Sequence, residues 1–227
     1  TIFGANTLNS LLMAGSGVNT NPQLTGNTSP VIKIAGTTTY NGLTGGIVVW
    51  NDSTAGIPYI ASAVALDLNG VDLTVAVGGL SPNGFQLNTI QSGGTNGVGG
   101  GSIVKTGPGT LVLNATSTFT GGIKLNQGTL LFYNNTTSAA GTGAISLADG
   151  TAIMSANAVS TVANPYNVAG NFTLSGQLST NGVTLSGAGT FAAGAHKISV
   201  QSPLETLTLA GTVSSVGASL AKDGLGV

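Results

Sequence analysis

A triplet of the form Gly-Thr-apolar recurs along the second half of the chain at nearly constant intervals. It occurs five times, and a polar variant, Gly170-Asn171-Phe172, falls halfway through the one long interval. The starting glycines are Gly109, Gly128, Gly150, Gly170, Gly189 and Gly211. A regular period of this kind is typical of solenoids, in which each repeat forms one coil and the coils stack about 4.8 Å apart. We therefore predict that these glycines occupy corresponding positions in stacked coils from Ile103 onward, with the apolar residue after each one in a single column.

Short segments between these glycines have the composition of β-strands. They are rich in Val, Ile, Leu, Thr and Phe and are bounded by Gly, Asn or Asp. No 11-residue window shows a helical apolar period without an intervening glycine, so we expect almost no helix. The predicted fold is an all-β solenoid with coils of about 20 residues. The clearest predicted strands are Thr110 to Leu113, Thr129 to Phe132 and Ile145 to Leu147, together with the Thr-Leu segments that start at Phe172, Val183 and Leu207.

The small number of charges excludes two classes of partner. The chain has 5 Lys or Arg, 6 Asp or Glu and a formal net charge of -1. Neutralising nucleic-acid phosphates or anionic lipids requires clustered cations, so we do not expect nucleic acid or membrane surfaces as partners. No stretch approaches the ~18 uninterrupted apolar residues of a spanning helix, so we predict no membrane insertion by this segment. With 0 Cys there is no disulfide and no thiolate metal site.

Two features suggest that residues 1–102 form a less regular β region than residues 103–227. First, residues 61–77 alternate around Asn69-Gly70, a favoured pair for a two-residue β-turn, and predict a hairpin there. Second, residues 91–102 (QSGGTNGVGGGS) are glycine-rich and form either a flexible linker or a turn between coils. We favour the turn, because a periodic pattern begins directly after it. The regular solenoid is then continuous with the first region and is expected to continue beyond residue 227.

Residues 103–132 (IVKTGPGTLVLNATSTFTGGIKLNQGTLLF) resemble the autotransporter-associated β-strand repeat of bacterial passenger regions. That pattern is K-x-G-x-G-x-L-x-L, followed by T-x-x-G-G and x-G-x-L. The last eight residues, LAKDGLGV, repeat its opening. The resemblance implies a right-handed parallel β-helix on an exported, cell-surface protein. The matching structural positions are Lys105, Gly107, Gly109, Leu111, Leu113, Thr118, Gly121, Gly122, Gly128 and Leu130, and in the second copy Lys222, Gly224 and Gly226.

The acidic residues give two candidate sites, each with a simpler interpretation. Asp67, Asn69 and Asp72 surround a turn as calcium ligands do, but turn formation alone explains them. Asp52 and Asp72 are one glycine period apart in the sequence, and one coil of separation would bring them together as a carboxylate pair for glycoside cleavage. We interpret them instead as solvated turn residues, and we predict no catalytic residue, no metal site and no cofactor. The C-terminal acids are Asp149, Glu205 and Asp223, none one coil from another.

His196, the threonine clusters and the aromatic residues supply the remaining candidates. His196 is the only histidine, and its neighbours indicate a surface turn rather than a catalytic triad. The threonine clusters 37–39, 116–120 and 206–208 suggest a flat ice-binding array, but they do not share one phase. Trp50, Tyr40 and Tyr59 suggest a sugar-stacking platform, with core packing or edge covering as the favoured alternative.

Two classes of function are consistent with these patterns. We favour a non-catalytic structural or adhesive β-helix outside the bacterial cell, because a polysaccharide enzyme needs clustered acids and Arg, and this chain has no Arg. The alternative is a β-helix that binds or degrades surface polysaccharide. Residues 1–9 carry no charge and residues 220–227 lie within a repeat, so we expect each end to contact more of the same polypeptide or another copy in a fibre.

Overall fold

The computed structural model describes residues 6–8, 10–15, 23–24, 31–34, 46–51, 57–68, 70–78, 84–91, 100–133, 138–156, 158–175 and 181–227. All regular secondary structure in these ranges is β-strand, and every strand pair in them is parallel. The chain is therefore a parallel β-solenoid, as the glycine period predicted.

The strands are numbered along the chain. The first eleven are β1 Asn6–Leu8, β2 Ser10–Gly15, β3 Gln23–Leu24, β4 Val31–Ile34, β5 Gly46–Asn51, β6 Tyr59–Asp67, β7 Leu73–Gly78, β8 Phe85–Gln91, β9 Ile103–Thr106, β10 Thr110–Leu113 and β11 Ile123–Leu125. The others are β12 Thr129–Phe132, β13 Ile145–Leu147, β14 Thr151–Ser155, β15 Ser160–Val162, β16 Tyr166–Val168, β17 Phe172–Leu174, β18 Val183–Leu185, β19 Gly189–Phe191, β20 Gly194–Val200, β21 Leu207–Leu209, β22 Val213–Ser215 and β23 Ala218–Asp223.

The described strands form three sheets that run along the solenoid. The long sheet has the order β1-β4-β6-β8-β10-β12-β14-β17-β20-β23, with β3 also paired to β6. The second sheet has the order β2-β5-β7-β9-β11-β13-β16-β19-β22, and the short sheet is β15-β18-β21. Strands on both sides of residue 102 belong to the same long and second sheets.

The hairpin predicted over residues 61–77 is wrong. Strands β6 and β7 flank the Asn69-Gly70 pair, but β6 belongs to the long sheet and β7 to the second sheet. The chain turns a corner between the two sheets, where the Val71 N–H donates to the Leu68 carbonyl at 2.9 Å. Both strands find parallel partners one coil away instead of pairing with each other, because the stacked coils bury both of their inward faces.

Coil length varies along the chain. Downstream of Ile103, coils range from the short one that pairs Thr110 with Thr129 to the longer one that pairs Phe172 with Ile198. Upstream, the coil that pairs Ser10 with Gly46 is longer still. Longer coils add residues in the loops between strands, so the sequence period weakens in the first half while the sheets continue.

The core consists of inward-facing residues stacked in columns. In the long sheet one column holds an apolar residue at every step, each at most 2% exposed. In the second sheet the equivalent column is also apolar from Ile47 to Phe191, except for one lysine. The long-sheet column is Phe85, Leu111, Leu130, Ile153, Leu174 and Val200, and the second-sheet column is Ile47, Val75, Lys105, Leu125, Leu147, Val168 and Phe191.

Shortening a side chain in the long-sheet column is expected to destabilise the solenoid. The Leu130→Ala substitution leaves a cavity between Leu111 and Ile153, and we expect it to lower the free energy of unfolding by about 3 kcal/mol. The neighbouring Leu131 is only partly buried, so Leu131→Ala should cost less than about 1 kcal/mol. Guanidinium unfolding of the two variants measures the difference, and equal effects would contradict the assigned register.

Candidate functional site

The first motif copy places a lysine inside the solenoid. Lys105 lies on β9 in the apolar column of the second sheet, and its side chain is fully buried. Its Nζ donates to three backbone carbonyls, those of Thr106 at 2.8 Å, Gly107 at 2.7 Å and Gln127 at 3.1 Å. An ammonium group has three N–H donors, and each has an acceptor here. We call Lys105 and these three carbonyls the Lys105 clasp.

The surroundings of Lys105 make it a structural residue and not a reactive one. Burial lowers the pKa of its ammonium to about 8, a value that would suit a catalytic base. A base must, however, reach the proton that it removes. The Lys105 ammonium is closed in by the carbonyls of its own turn and of the next coil, so a substrate cannot reach it.

The next coil completes the clasp through two adjacent residues. Gln127 supplies one carbonyl, and its Oε1 accepts the N–H of Gly107 at 3.1 Å. Gly128 has a φ of +76°, and a Cβ at that position would lie 2.9 Å from Lys105 Nζ and 2.5 Å from the Gly109 carbonyl oxygen. Any larger residue at position 128 would push these two coils apart.

The second motif copy forms the same turn on β23. Lys222 Nζ donates to the Gly224 carbonyl at 2.8 Å, and the Gly226 N–H donates to the Val200 carbonyl at 3.0 Å. The lysine of this copy is exposed. The sequence alignment of the two copies therefore corresponds to a shared local structure. The equivalent first-copy bonds are Lys105 Nζ to the Gly107 carbonyl at 2.7 Å and the Gly109 N–H to the Val77 carbonyl at 2.9 Å.

The other motif residues serve coil contact or core filling. A Cβ on Gly121 would lie 2.3 Å from the Gly101 carbonyl oxygen, and one on Gly122 would lie 2.1 Å from that of Ala144. At these two glycines successive coils approach too closely for a Cβ atom to fit. The motif leucines are completely buried, and they are Leu111, Leu113 and Leu130.

The phased glycines follow one sheet at first and then move to another. The last two differ from the rest, since Gly189 opens β19 and Gly211 precedes β22, both in the second sheet. The predicted single column is therefore wrong beyond Leu111 and Leu130. In the long sheet Ala152 pairs with Thr129 and Phe172 with Thr151, and the last two glycines lead into the second sheet. The coil that pairs Phe172 with Ile198 is longer than the glycine period. A step of one glycine period therefore no longer reaches the same position in the next coil. The first four glycines lie just before strands of the long sheet, and they are Gly109, Gly128, Gly150 and Gly170.

Asp72 joins three successive coils of the second sheet. Its Oδ1 accepts the Ser102 N–H at 2.8 Å and the Ser102 hydroxyl at 2.7 Å, and its Oδ2 is 3.2 Å from Lys124 Nζ. Partial burial opposes ionisation, but these hydrogen bonds outweigh it and lower the Asp72 pKa. Asp52, its predicted partner in a carboxylate pair, lies outside the described residues.

The predicted calcium ligands are separated by their environments. Asp67 is 1% exposed at the end of β6, while the Asp72 carboxylate is held by Ser102 and Lys124. Asn69 lies outside the described residues. Within the part of the chain that the structure describes, no cluster of three His, Asp or Glu residues is arranged to hold a metal ion.

His196 lies in the core, so the predicted surface turn is wrong. The ring is 3% exposed on β20, with Nδ1 3.1 Å from the Gly170 carbonyl oxygen and Nε2 2.7 Å from that of Ala192. Phe191 packs edge-on against the ring, with 5.6 Å between centroids. Both nitrogens face backbone carbonyls, so His196 joins two coils of the long sheet and is not placed to activate a nucleophile.

A polar ladder that sequence analysis missed links four coils of the long sheet. Asp149 Oδ1 accepts the Asn171 N–H at 2.7 Å, and Asn171 Oδ1 accepts the Lys197 N–H at 2.7 Å. Lys197 Nζ lies 3.3 Å from Asp223 Oδ2. The Gly224 N–H and then Lys197 lower the Asp223 pKa. The sequence separation changes from one contact to the next, and an approximate period could not identify these partners in advance.

The remaining candidates are the threonine clusters and the aromatic residues. Of the threonine clusters, residues 37–39 lie outside the described residues, and Thr208 instead stacks with Thr184 and Thr161 on the short sheet. Trp50 is 54% exposed, so core packing is wrong for it. Tyr59 is partly buried, and Tyr40 lies outside the described residues.

The Lys105→Met substitution is expected to destabilise the chain. Methionine fills the apolar column but removes the donor from three backbone carbonyls, which should lower the free energy of unfolding at pH 7 by about 2 kcal/mol. The control is Lys197→Met, which removes an exposed ion pair and should cost less than about 1 kcal/mol. A Lys105→Met variant as stable as the wild type would contradict a structural role for the clasp.

The pH dependence of stability reports on the burial of the Lys105 ammonium. Since the pKa of Lys105 is about 8 in the folded chain and about 10.4 in an unfolded one, the unfolded state binds more protons between these pH values. The free energy of unfolding should therefore rise across that range, by at most about 1.4 kcal/mol per pH unit. Lys105→Met should lose this part of the slope, whereas Lys197→Met should keep it.

Comparison with known proteins gives one match, which covers the first motif copy. In the ranges that the structure describes, no helix is long and apolar enough to cross a membrane. No curated protein and no solved structure matches the chain. Residues 103–132, the segment that contains the Lys105 clasp, match the family model described as passenger-associated-transport-repeat. This match confirms the resemblance to the repeat of autotransporter passenger β-helices.

Proposed function

We propose that this chain is a non-catalytic structural or adhesive segment of a secreted or cell-surface protein of the autotransporter type. One observation carries the proposal. The motif that matches the passenger repeat directs its lysine, glycines and leucines into coil contacts or the core, which leaves none of them available to a substrate. A stack of such coils gives a stiff stalk of the kind that holds a contact surface away from a cell.

The alternative, a β-helix that degrades polysaccharide, has less support. A groove of about 510 Å³ runs beside Asn126, Gln127 and Thr129. Asp149 is the one carboxylate among its lining residues, and most glycosidases use two carboxylates that flank the cleaved bond. The lining residues of the groove therefore do not supply the second carboxylate that cleavage needs.

We also propose that the last coil contacts a further coil, from the same polypeptide or from another copy in a fibre. Val213 on β22 and Leu220 on β23 are 41% and 49% exposed. Parallel strands at the end of a sheet offer backbone groups to another strand. Lys222 already contacts its own turn, and it would gain a carbonyl of the added coil as Lys105 does from Gln127.

Surface exposure is the first test of this proposal. Antibodies raised against the chain should label intact cells of the organism that makes it, or detect it in the medium, without permeabilisation. Purified chain incubated with a panel of polysaccharides should release no new reducing ends. Labelling that requires permeabilisation, or release of sugar products that Asp149→Asn abolishes, would contradict the proposal.

Association of the last coil is tested separately by light scattering and negative-stain imaging. We expect the average mass to rise above that of one chain as concentration increases, because the exposed strand edges pair. The double variant Val213→Lys/Leu220→Lys should reduce this association through charge repulsion, while Thr184→Lys on the short sheet should leave it unchanged. A monodisperse monomer at high concentration would contradict the fibre.

A further inference from the structure

Trp50 lies on the outer surface of the solenoid. It belongs to β5, in which Ile47 and Val49 point inward and are 2% and 0% exposed. Because side chains alternate along a strand, Val48 and Trp50 point outward, and Trp50 is 54% exposed. An exposed tryptophan is a large apolar surface that core packing does not explain.

The six-membered ring of the indole contacts the next coil. Trp50 pairs with Gly78 of β7. A Cβ on Gly78 would lie 2.7 Å from Trp50 Cε3 and 2.9 Å from Cζ3, so only glycine allows the six-membered ring to lie this close to the backbone. The neighbouring coil therefore holds the six-membered ring near Cε3 and Cζ3, and about half of the Trp50 side chain remains exposed.

The positions beside the indole are apolar. Leu12 and Val48 pair directly with each other and point outward, and their side chains are 70% and 49% exposed. Ala76 on β7 pairs with Val48 and continues this row. No charged residue occurs in β2, β5 or β7. We call Leu12, Val48, Trp50, Ala76 and Gly78 the Trp50 platform.

We propose that the Trp50 platform binds a neutral polysaccharide by stacking the C–H face of a pyranose ring on the exposed face of the indole. A flat aromatic face fixed in one orientation loses little conformational entropy when a rigid ring stacks on it. The absence of charge in these strands matches an uncharged ligand and gives an acidic polysaccharide no ionic partner. This inference rests on the proposed function, because it gives the adhesive role a contact surface.

Two other occupants fit the platform less well. A membrane surface is bound by apolar side chains together with nearby cations, whereas these three strands carry no lysine. A stable protein partner needs about 800 Å² on each side, and five side chains, one of them alanine and one glycine, cover much less. A single sugar ring matches the size of the indole.

The chain contains one tryptophan, so its fluorescence reports on this site alone. Purified full-length chain is titrated with cellohexaose, maltohexaose and mannohexaose while emission and acrylamide quenching are recorded. At least one sugar should change the emission saturably and protect Trp50 from acrylamide.

In calorimetry with that sugar, Trp50→Ala should weaken binding at least tenfold, and Gly78→Ala, which keeps the indole but displaces it, at least threefold. Leu131→Ala on the long sheet is the matched control and should bind as the wild type does.

Four results would overturn the proposal. The first is no response to any of the three sugars by protein that circular dichroism shows to be folded, and the second is unchanged affinity in Trp50→Ala. The third is an emission change with neutral phosphatidylcholine vesicles in place of sugars. The fourth is a concentration-dependent emission change without sugar, which would indicate self-association at the platform. Labelling of intact cells does not depend on any of these results. The site and the proposed function can therefore fail independently.

Discussion

The structure depends on hydrogen bonding between coils. Strands as short as Phe172–Leu174 have their backbone partners in the coils before and after them, not in their own coil. A single coil would leave those groups without partners and its inward side chains in water, so each coil is stable only as part of a stack. Residues separated by a whole coil of sequence, such as Ser10 and Gly46, are thus direct neighbours.

At the corners between sheets, turn carbonyls that point towards the interior need hydrogen-bond donors. The Lys105 side chain supplies these donors from a single residue. Its aliphatic part continues the apolar column between Val75 and Leu125, and its ammonium gives one donor to each of three carbonyls. This arrangement explains why a charged residue occurs at a fully buried position. It also explains why the glycines of the motif lie around it, since backbone must come close to Nζ.

Sequence patterns predicted the solenoid, the strands and the inward leucines, because those follow from the glycine period and from alternation along short strands. They failed where coil length matters. The partners of Asp72 and Asn171 lie in other coils, at separations that loop lengths determine, and His196 was assigned to the surface although both of its ring nitrogens face core carbonyls. The Asn69-Gly70 hairpin failed because a local turn signal does not specify whether the flanking strands pair with each other or with neighbouring coils.

The same constraint determines where function can reside. Inward positions are fixed by column packing, and corner positions by close approach of backbone, so neither can vary without loss of stability. Outward positions have no such requirement, and here they range from the threonine row of Thr161, Thr184 and Thr208 to the apolar surface around Trp50. In a solenoid built this way, chemical recognition depends on which side chains the coils present outward, and each strand can present different ones without changing the coil beneath it.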